Sequence, residues 1–96
     1  MKDHETSGHH RLYSAIASLQ TPEECRLFFE DICTIKELQS MAQRLEVAAL
    51  LAEGQNYNAV CDKTGASTAT ISRVNKCLNY GGGYRIVLDR LKEENP

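Results

Sequence analysis

The sequence predicts an all-α protein of about six helices. Apolar residues recur at helical spacing along most of the chain, and no stretch alternates with the two-residue period of a strand. Capping residues and glycines separate these segments at helix-length intervals. With 96 residues, 42% of them hydrophobic, the chain fits one small domain whose limited core would gain stability from pairing with a second copy. We expect a disordered tail at residues 1–9 and a single helical domain over residues 10–96.

The first two helices are separated by a polar turn. Three apolar residues share a face in a short first helix: Leu12, Ile16 and Leu19. Thr21 can then cap a second helix, with Pro22 at its first position and Glu24 closing a capping box. This second helix is expected to run to about Cys33.

A longer third helix follows. Thr34 and Glu37 repeat the capping box, and the helix is expected to run to about Glu53, before Gly54 ends it. Its apolar residues fall on more than one face, so it needs more than one neighbour. A partner subunit is a natural second neighbour, and burial within a monomer is the alternative.

Two short helices over about residues 57–80 have the outline of a helix-turn-helix. Asn56 can cap the first of them, Gly65 lies in the turn, and Ser67 can cap the second. Apolar or small residues stand where the two helices must cross: Val60, Cys61, Ala66, Ile71 and Val74. Three glycines end this pair, and a sixth helix is expected from about Tyr84.

Neither the cysteines nor the histidines predict a metal site or a disulfide. The cysteines lie in helical patterns without a CxxC pair, and we interpret them as small buried thiols: Cys25, Cys33, Cys61 and Cys77. The histidines lie in the polar N-terminal segment without a spaced partner: His4, His9 and His10. We therefore expect no metal and no cofactor.

Charge is unevenly distributed along the chain. The net charge is −2, yet residues 55–85 carry four Lys or Arg and one Asp, which gives a local charge of +3. This pattern suggests an acidic body with a modest anion-binding face. No apolar run reaches the roughly 18 residues of a membrane span, and the N-terminus lacks the apolar stretch of a signal peptide. We expect a cytoplasmic protein without membrane contact.

The second helix of the pair has two distinct sides. Ile71, Val74 and Leu78 cluster on one side of a helical wheel. The opposite side carries short residues first and cations further along: Ala69, Ser72, Arg73, Lys76 and Tyr80. A major groove accepts such a helix, because small residues approach the base edges and cations meet the phosphates. Alternatively, the hydroxyls are ordinary caps, the cations form a solvated face, and the pair serves protein interaction.

The segment "TGASTATISR", residues 64–73, resembles the signature of the Trp repressor family, which has "LGxGxATITR" at this place. The preceding helix, "TIKELQSMAQRLEVAALLAEG", is similar in length and register to the corresponding helix of that family. More narrowly, "RLEVAALLAEG" with "TGASTATISRVNKCLNYG" resembles the YerC/YecD group of Trp-repressor-like proteins. The resemblance covers about residues 10–94.

This resemblance implies an intertwined homodimer that binds double-stranded DNA. The two helix-turn-helix units would enter successive major grooves, so symmetric half-sites would lie about 34 Å apart, a geometry for which Trp repressor is itself a standard example. Matching positions imply base contacts for one set of residues: Ser67, Thr68, Ala69 and Ser72. A second set would lie nearer the DNA backbone: Thr70, Arg73 and Lys76.

The same resemblance implies a vestigial ligand pocket. Thr34, Arg44 and Arg73 occupy the positions of a Thr and two Arg that hold tryptophan in the tryptophan-sensing repressor. Val74 replaces a Gly and Cys77 a Ser, so a branched side chain stands where the indole needs space, and a weaker hydrogen-bonding group replaces the hydroxyl. L-tryptophan is therefore not expected as a ligand. Alternatively, Thr34 is only a cap, and Arg44 pairs with a nearby glutamate, Glu37 or Glu46, or is solvated.

We therefore predict a homodimeric, sequence-specific DNA-binding transcriptional regulator, a repressor that does not use tryptophan. One alternative is a repressor that senses an amino acid or another small ligand, and a second is a helix-turn-helix module for protein interaction. An enzyme is not expected, because no nucleophile, base and orienting group stand at a recognisable spacing.

Overall fold

The computed structural model describes residues 2–94, with side chains from residue 8 onward. This part of the chain is folded into six α-helices and contains no strand. The helices are α1 (Lys2–Ala17), α2 (Pro22–Ile32), α3 (Ile35–Ala52), α4 (Tyr57–Thr64), α5 (Thr68–Tyr80) and α6 (Gly83–Glu94). The predicted all-α class and helix order are confirmed.

The chain divides into two compact units, residues 1–38 and 39–96. The first contains α1, α2 and the start of α3, and the second contains the rest of α3 with α4 to α6. We expected a single domain over residues 10–96, after a disordered tail at residues 1–9. Within the described residues the chain is instead helical from Lys2. The N-terminal segment lacks apolar periodicity, which explains why the sequence did not indicate a helix there.

Helix α2 begins with only half of the predicted capping box. The backbone N–H of Glu24 donates to the hydroxyl oxygen of Thr21 at 3.1 Å, as the motif requires. The carboxylate of Glu24, however, accepts from the N–H of Gln20 at 2.9 Å. Pro22 stands at the first turn, where its missing N–H leaves no donor unpaired. The start of α2 is therefore as the sequence predicts, except that the Glu24 carboxylate binds the N–H of Gln20 and not that of Thr21.

Helix α3 begins with the complete capping box. The N–H of Thr34 donates to the carboxylate of Glu37 at 2.8 Å, and the N–H of Glu37 donates to the hydroxyl oxygen of Thr34 at 3.1 Å. The bond from the Thr34 N–H stabilises the ionised carboxylate and lowers the pKa of Glu37 below its ordinary value. These two reciprocal bonds satisfy two of the N–H groups that a helix start leaves unpaired.

The apolar core of the second unit lies where α3 meets the α4–α5 pair. Its members are fully or almost fully buried: Val47, Ala48, Leu50, Val60, Ala66, Ile71 and Val74. Half-buried side chains from α3, α4 and α6 pack against it: Leu51, Cys61, Tyr84 and Leu88. Burying one side chain as large as Ile71 contributes about 1.5–3 kcal/mol. This core holds the helix-turn-helix on α3 and so sets which face of α5 points outward.

Candidate nucleic-acid interface

The turn between α4 and α5 depends on Gly65. Its φ of 73° and ψ of 6° lie in the left-handed region, which glycine adopts without steric penalty. The N–H of Gly65 donates to the carbonyl oxygen of Cys61 at 2.9 Å and closes α4. Ala66 follows and is buried against the core. The chain thus turns within a few residues, and α5 packs against α4.

Thr64 connects the end of α4 to this turn. Its hydroxyl donates to the carbonyl oxygen of Val60 at 2.7 Å and accepts from the N–H of Ala66 at 3.1 Å. The side-chain amide of Gln43 on α3 donates to the carbonyl oxygen of Thr64 at 3.1 Å. Gln43 and Thr64 therefore fix the turn to α3, a role that sequence reasoning did not assign. The sequence could have indicated this role only through the position of Gln43, a polar residue on a helix that carries apolar residues on several faces.

The N-terminus of α5 uses two of the predicted contact residues for capping. The hydroxyl oxygen of Ser67 accepts from the N–H of Thr70 at 3.1 Å, and the Ser67 hydroxyl lies 3.1 Å from that of Thr70, to which it donates. Thr68, Ala69 and Ser72 are exposed, and the side chains of Thr68 and Ser72 form no hydrogen bond within the described residues. These two hydroxyl groups are available to an external partner.

The outer face of α5 is defined by four exposed residues at helical spacing: Ala69, Arg73, Lys76 and Tyr80. They lie opposite the buried side of the helix: Ile71, Val74 and Leu78. Neither Arg73 nor Lys76 forms an ion pair with a carboxylate in the part of the chain that the structure describes. The positive charge of this outer face is therefore not neutralised by a salt bridge within this region, and an anionic partner can meet it directly.

The residues of the predicted ligand pocket lie in different environments. Thr34 is the cap of α3 in the first unit, and in the second unit Val74 is 1% exposed within the core. Arg44, Arg73 and Cys77 are exposed. No ion pair joins Arg44 to Glu46 in the described chain, and the carboxylate of Glu37 binds the Thr34 N–H.

An open groove of about 570 Å³ lies beside α5 in the second unit. Its lining is mainly apolar and comes from α3, α5, α6 and the glycine linker: Leu45, Cys77, Gly81, Gly83, Tyr84 and Val87. Of the predicted pocket residues, only Cys77 lines this groove. The loss of tryptophan binding stays a prediction.

The cysteines differ from the expected buried thiols. Cys77 is exposed, and the other three are half-buried: Cys25, Cys33 and Cys61. All four are free. Across the described residues, no helix combines the length and the apolar character needed to cross a membrane.

The family model of the Trp repressor protein matches residues 7–92. The uncharacterized protein YerC of Bacillus subtilis (strain 168) is 58% identical over 84 residues, which are 86% of this chain and 81% of YerC. A candidate Trp repressor from Staphylococcus aureus has a TM-score of 0.85 at 44% identity, covering 90% of this chain and 87% of that chain.

A second solved structure, a TrpR like protein from Eubacterium eligens ATCC 27750, has a TM-score of 0.87 at 49% identity and covers 96% of both chains. The resemblance carried by "TGASTATISR" and the helix before it is confirmed. Because the family model spans most of the chain and YerC is 58% identical to it, the chain belongs to the Trp repressor family, as a YerC-type Trp-repressor-like protein.

Proposed function

We propose that the protein is a sequence-specific transcriptional repressor that binds DNA as a homodimer and does not require tryptophan. Its family is one of helix-turn-helix DNA-binding regulators rather than enzymes. One observation carries the proposal: a buried helix-turn-helix core turns outward a face of α5 whose two cations have no salt-bridge partner within the described residues. DNA in the cytoplasm is the polyanion that such a face fits.

The proposed contacts follow the order of residues along α5. Thr68, Ala69 and Ser72 are short and exposed, so they suit the base edges at the floor of a major groove. Ser67 stands beside them, but its hydroxyl is engaged in the cap and contributes less. Arg73 and Lys76 bind phosphates, with Thr70 near them, and these charged contacts provide most of the affinity.

Homodimerisation is supported by the apolar side chains that each unit exposes. In the first unit these are Leu12, Ile16, Leu27, Ile32 and Ile35, and the last of them is 78% exposed. In the second unit they are Leu45, Ile86, Val87 and Leu91. Exposed apolar residues in this number are typical of a surface covered by a partner. An intertwined second copy would cover them, and the two α5 helices would then bind symmetric half-sites about 34 Å apart.

The first test selects bound fragments from random DNA with purified protein and no added ligand. Recovery of a symmetric consensus supports the proposal. Arg73→Ala should then weaken binding to that duplex and reduce its dependence on salt, because one phosphate contact per protomer is lost. Glu46→Ala, an exposed change on α3, is the control for general loss of folding. Salt-insensitive association with a protein, without DNA binding even at low salt, would favour the protein-interaction module instead.

A ligand-sensing repressor is the second candidate, and the groove beside α5 favours it. An occupant of that groove would touch Cys77 on α5 and Tyr84 on α6 and could change the position of α5. Thermal unfolding with L-tryptophan, other amino acids and indole tests this candidate. We expect no stabilisation by tryptophan, since Val74 fills the core at the position of the family's Gly. A clear increase in Tm with tryptophan would contradict this part of the proposal.

A further inference from the structure

Tyr80, the last residue of α5, is not part of the apolar core. It is 87% exposed, more than any other large apolar or aromatic side chain in the described residues. It shares the outer face of α5 with Arg73 and Lys76, since residues 73, 76 and 80 follow the helical repeat. Its phenol hydroxyl is therefore open to an external partner, on the same face as two cations that have no salt-bridge partner within the described residues.

Three glycines follow Tyr80 at the end of α5, and they leave its side chain uncovered. Gly81 closes the helix with an N–H bond to the carbonyl oxygen of Cys77 at 2.8 Å. A Cβ at Gly81 would lie 2.8 Å from that oxygen, so only glycine fits. At Gly82 and Gly83 a Cβ would meet nothing within 4 Å, so close packing does not require glycine there. The three residues after Tyr80 therefore contribute no side chain that could shield it.

Distance along the helix decides what Tyr80 can reach. With a rise of about 1.5 Å per residue, Tyr80 lies about 18 Å from Thr68 along the axis, and Lys76 about 12 Å. A major groove is about 12 Å wide and 8.5 Å deep. When Thr68 and Ala69 lie near the base edges, Tyr80 therefore lies where α5 leaves the groove, at the level of the sugar-phosphate backbone.

We propose that Tyr80 is a further DNA contact of the outer face, in which its phenol hydroxyl donates a hydrogen bond to a backbone phosphate oxygen. This inference rests on the proposed DNA binding and deepens it. A phenol donates to phosphate without carrying charge, and phosphate contacts position a protein on DNA without specifying sequence. Tyr80 thus adds affinity and orientation, whereas Thr68 and Ser72 read the sequence.

The experiment compares the wild-type protein with Tyr80→Phe and Tyr80→Ala. The probes are the duplex selected from random DNA and a scrambled duplex of the same composition, each titrated at several salt concentrations. Tyr13→Phe is the matched control, because it removes the same hydroxyl from an exposed tyrosine on α1. Arg73→Ala is the reference for a charged contact. Thermal unfolding of each variant verifies that it is folded, since a side chain this exposed contributes little to stability.

We expect Tyr80→Phe to bind both duplexes about a hundredfold more weakly, because losing one hydrogen bond to a charged acceptor weakens binding about tenfold and the dimer loses two. The preference for the selected duplex and the salt dependence should be unchanged, because no cation is lost. Arg73→Ala, in contrast, should reduce the slope of log affinity against log salt by about 0.9 for each phosphate contact.

Two results would overturn the role of Tyr80. Wild-type affinity in Tyr80→Phe, whether or not Tyr80→Ala binds more weakly, would exclude a phosphate hydrogen bond, and so would a loss confined to the selected duplex. In each case weakened binding by Arg73→Ala would leave the proposed function intact. Absence of DNA binding by the wild-type protein at low salt would overturn both.

Discussion

Replacing Gly65 with alanine tests whether the helix-turn-helix needs a left-handed residue in its turn. Gly65 has φ 73°, where a residue with a Cβ is strained by about 1–2 kcal/mol. A Cβ added there would meet no atom within 4 Å, so no steric clash adds to this strain. Alanine also restricts the unfolded chain, which offsets part of the loss. We expect Gly65→Ala to lower the free energy of unfolding by about 1 kcal/mol, or the Tm by about 4–8 °C.

Gly83→Ala provides the matched control for this prediction. Its added Cβ also meets nothing within 4 Å, its φ is not positive, and it is the first residue of α6. Alanine there should leave stability unchanged or raise it by up to about 1 kcal/mol. Gly65→Asn should lose less than Gly65→Ala, since asparagine tolerates the left-handed region better.

Urea unfolding followed by circular dichroism measures these differences. All variants are compared at one protein concentration, because the stability of the proposed dimer would depend on concentration. If Gly65→Ala were as stable as Gly83→Ala, the left-handed turn would not be a constraint on this fold, and the conformational argument for Gly65 would be refuted.

Two further predictions concern the capping box of α3 and the core. The ionised carboxylate of Glu37 has a lowered pKa, so its stabilising effect should be complete above the pKa of an unfolded glutamate, near 4.3, and disappear as pH falls through the lower folded value. Urea unfolding of Glu37→Gln should therefore differ most from wild type near pH 7, and a difference that grows on acidification would contradict the sign. Ile71→Ala should lower the free energy of unfolding by about 2–5 kcal/mol and Ile71→Val by about 0.5–1.5 kcal/mol. The exposed neighbour Ser72→Ala should stay within about 0.5 kcal/mol, and equal losses at both positions would show that α5 is not packed as described.

Local hydrogen bonds made several of the helix starts predictable. Asn56 and Ser67 each cap a helix through an N–H three residues later, at 2.9 and 3.1 Å. Such bonds join residues close in sequence, so the residue types alone indicate them. The Glu24 carboxylate marks the limit of this reasoning. It can reach either of two adjacent N–H groups, and the one it binds, that of Gln20, depends on the actual path of the chain.

The packing of the helix-turn-helix was also predictable, because its partners lie in one short segment. Five residues were expected at the helix crossing: Val60, Cys61, Ala66, Ile71 and Val74. Four of them are buried, and Cys61 is half-buried against them. The bond between Gln43 and Thr64 was not predictable, since it joins residues 21 positions apart. Only the placement of α3 against α4 brings that amide and carbonyl together.

The sequence by itself determined the order of the six helices, most of their caps, the two sides of α5 and the family, because each of these follows from residue types at short, regular spacing. Tertiary structure alone decided the division into two compact units, the position of Cys77 in an open groove, and the bond between Gln43 and Thr64. These features depend on which distant surfaces meet and which stay in water. Helical periodicity shows that a face is apolar or polar, whereas only the folded chain shows what covers it.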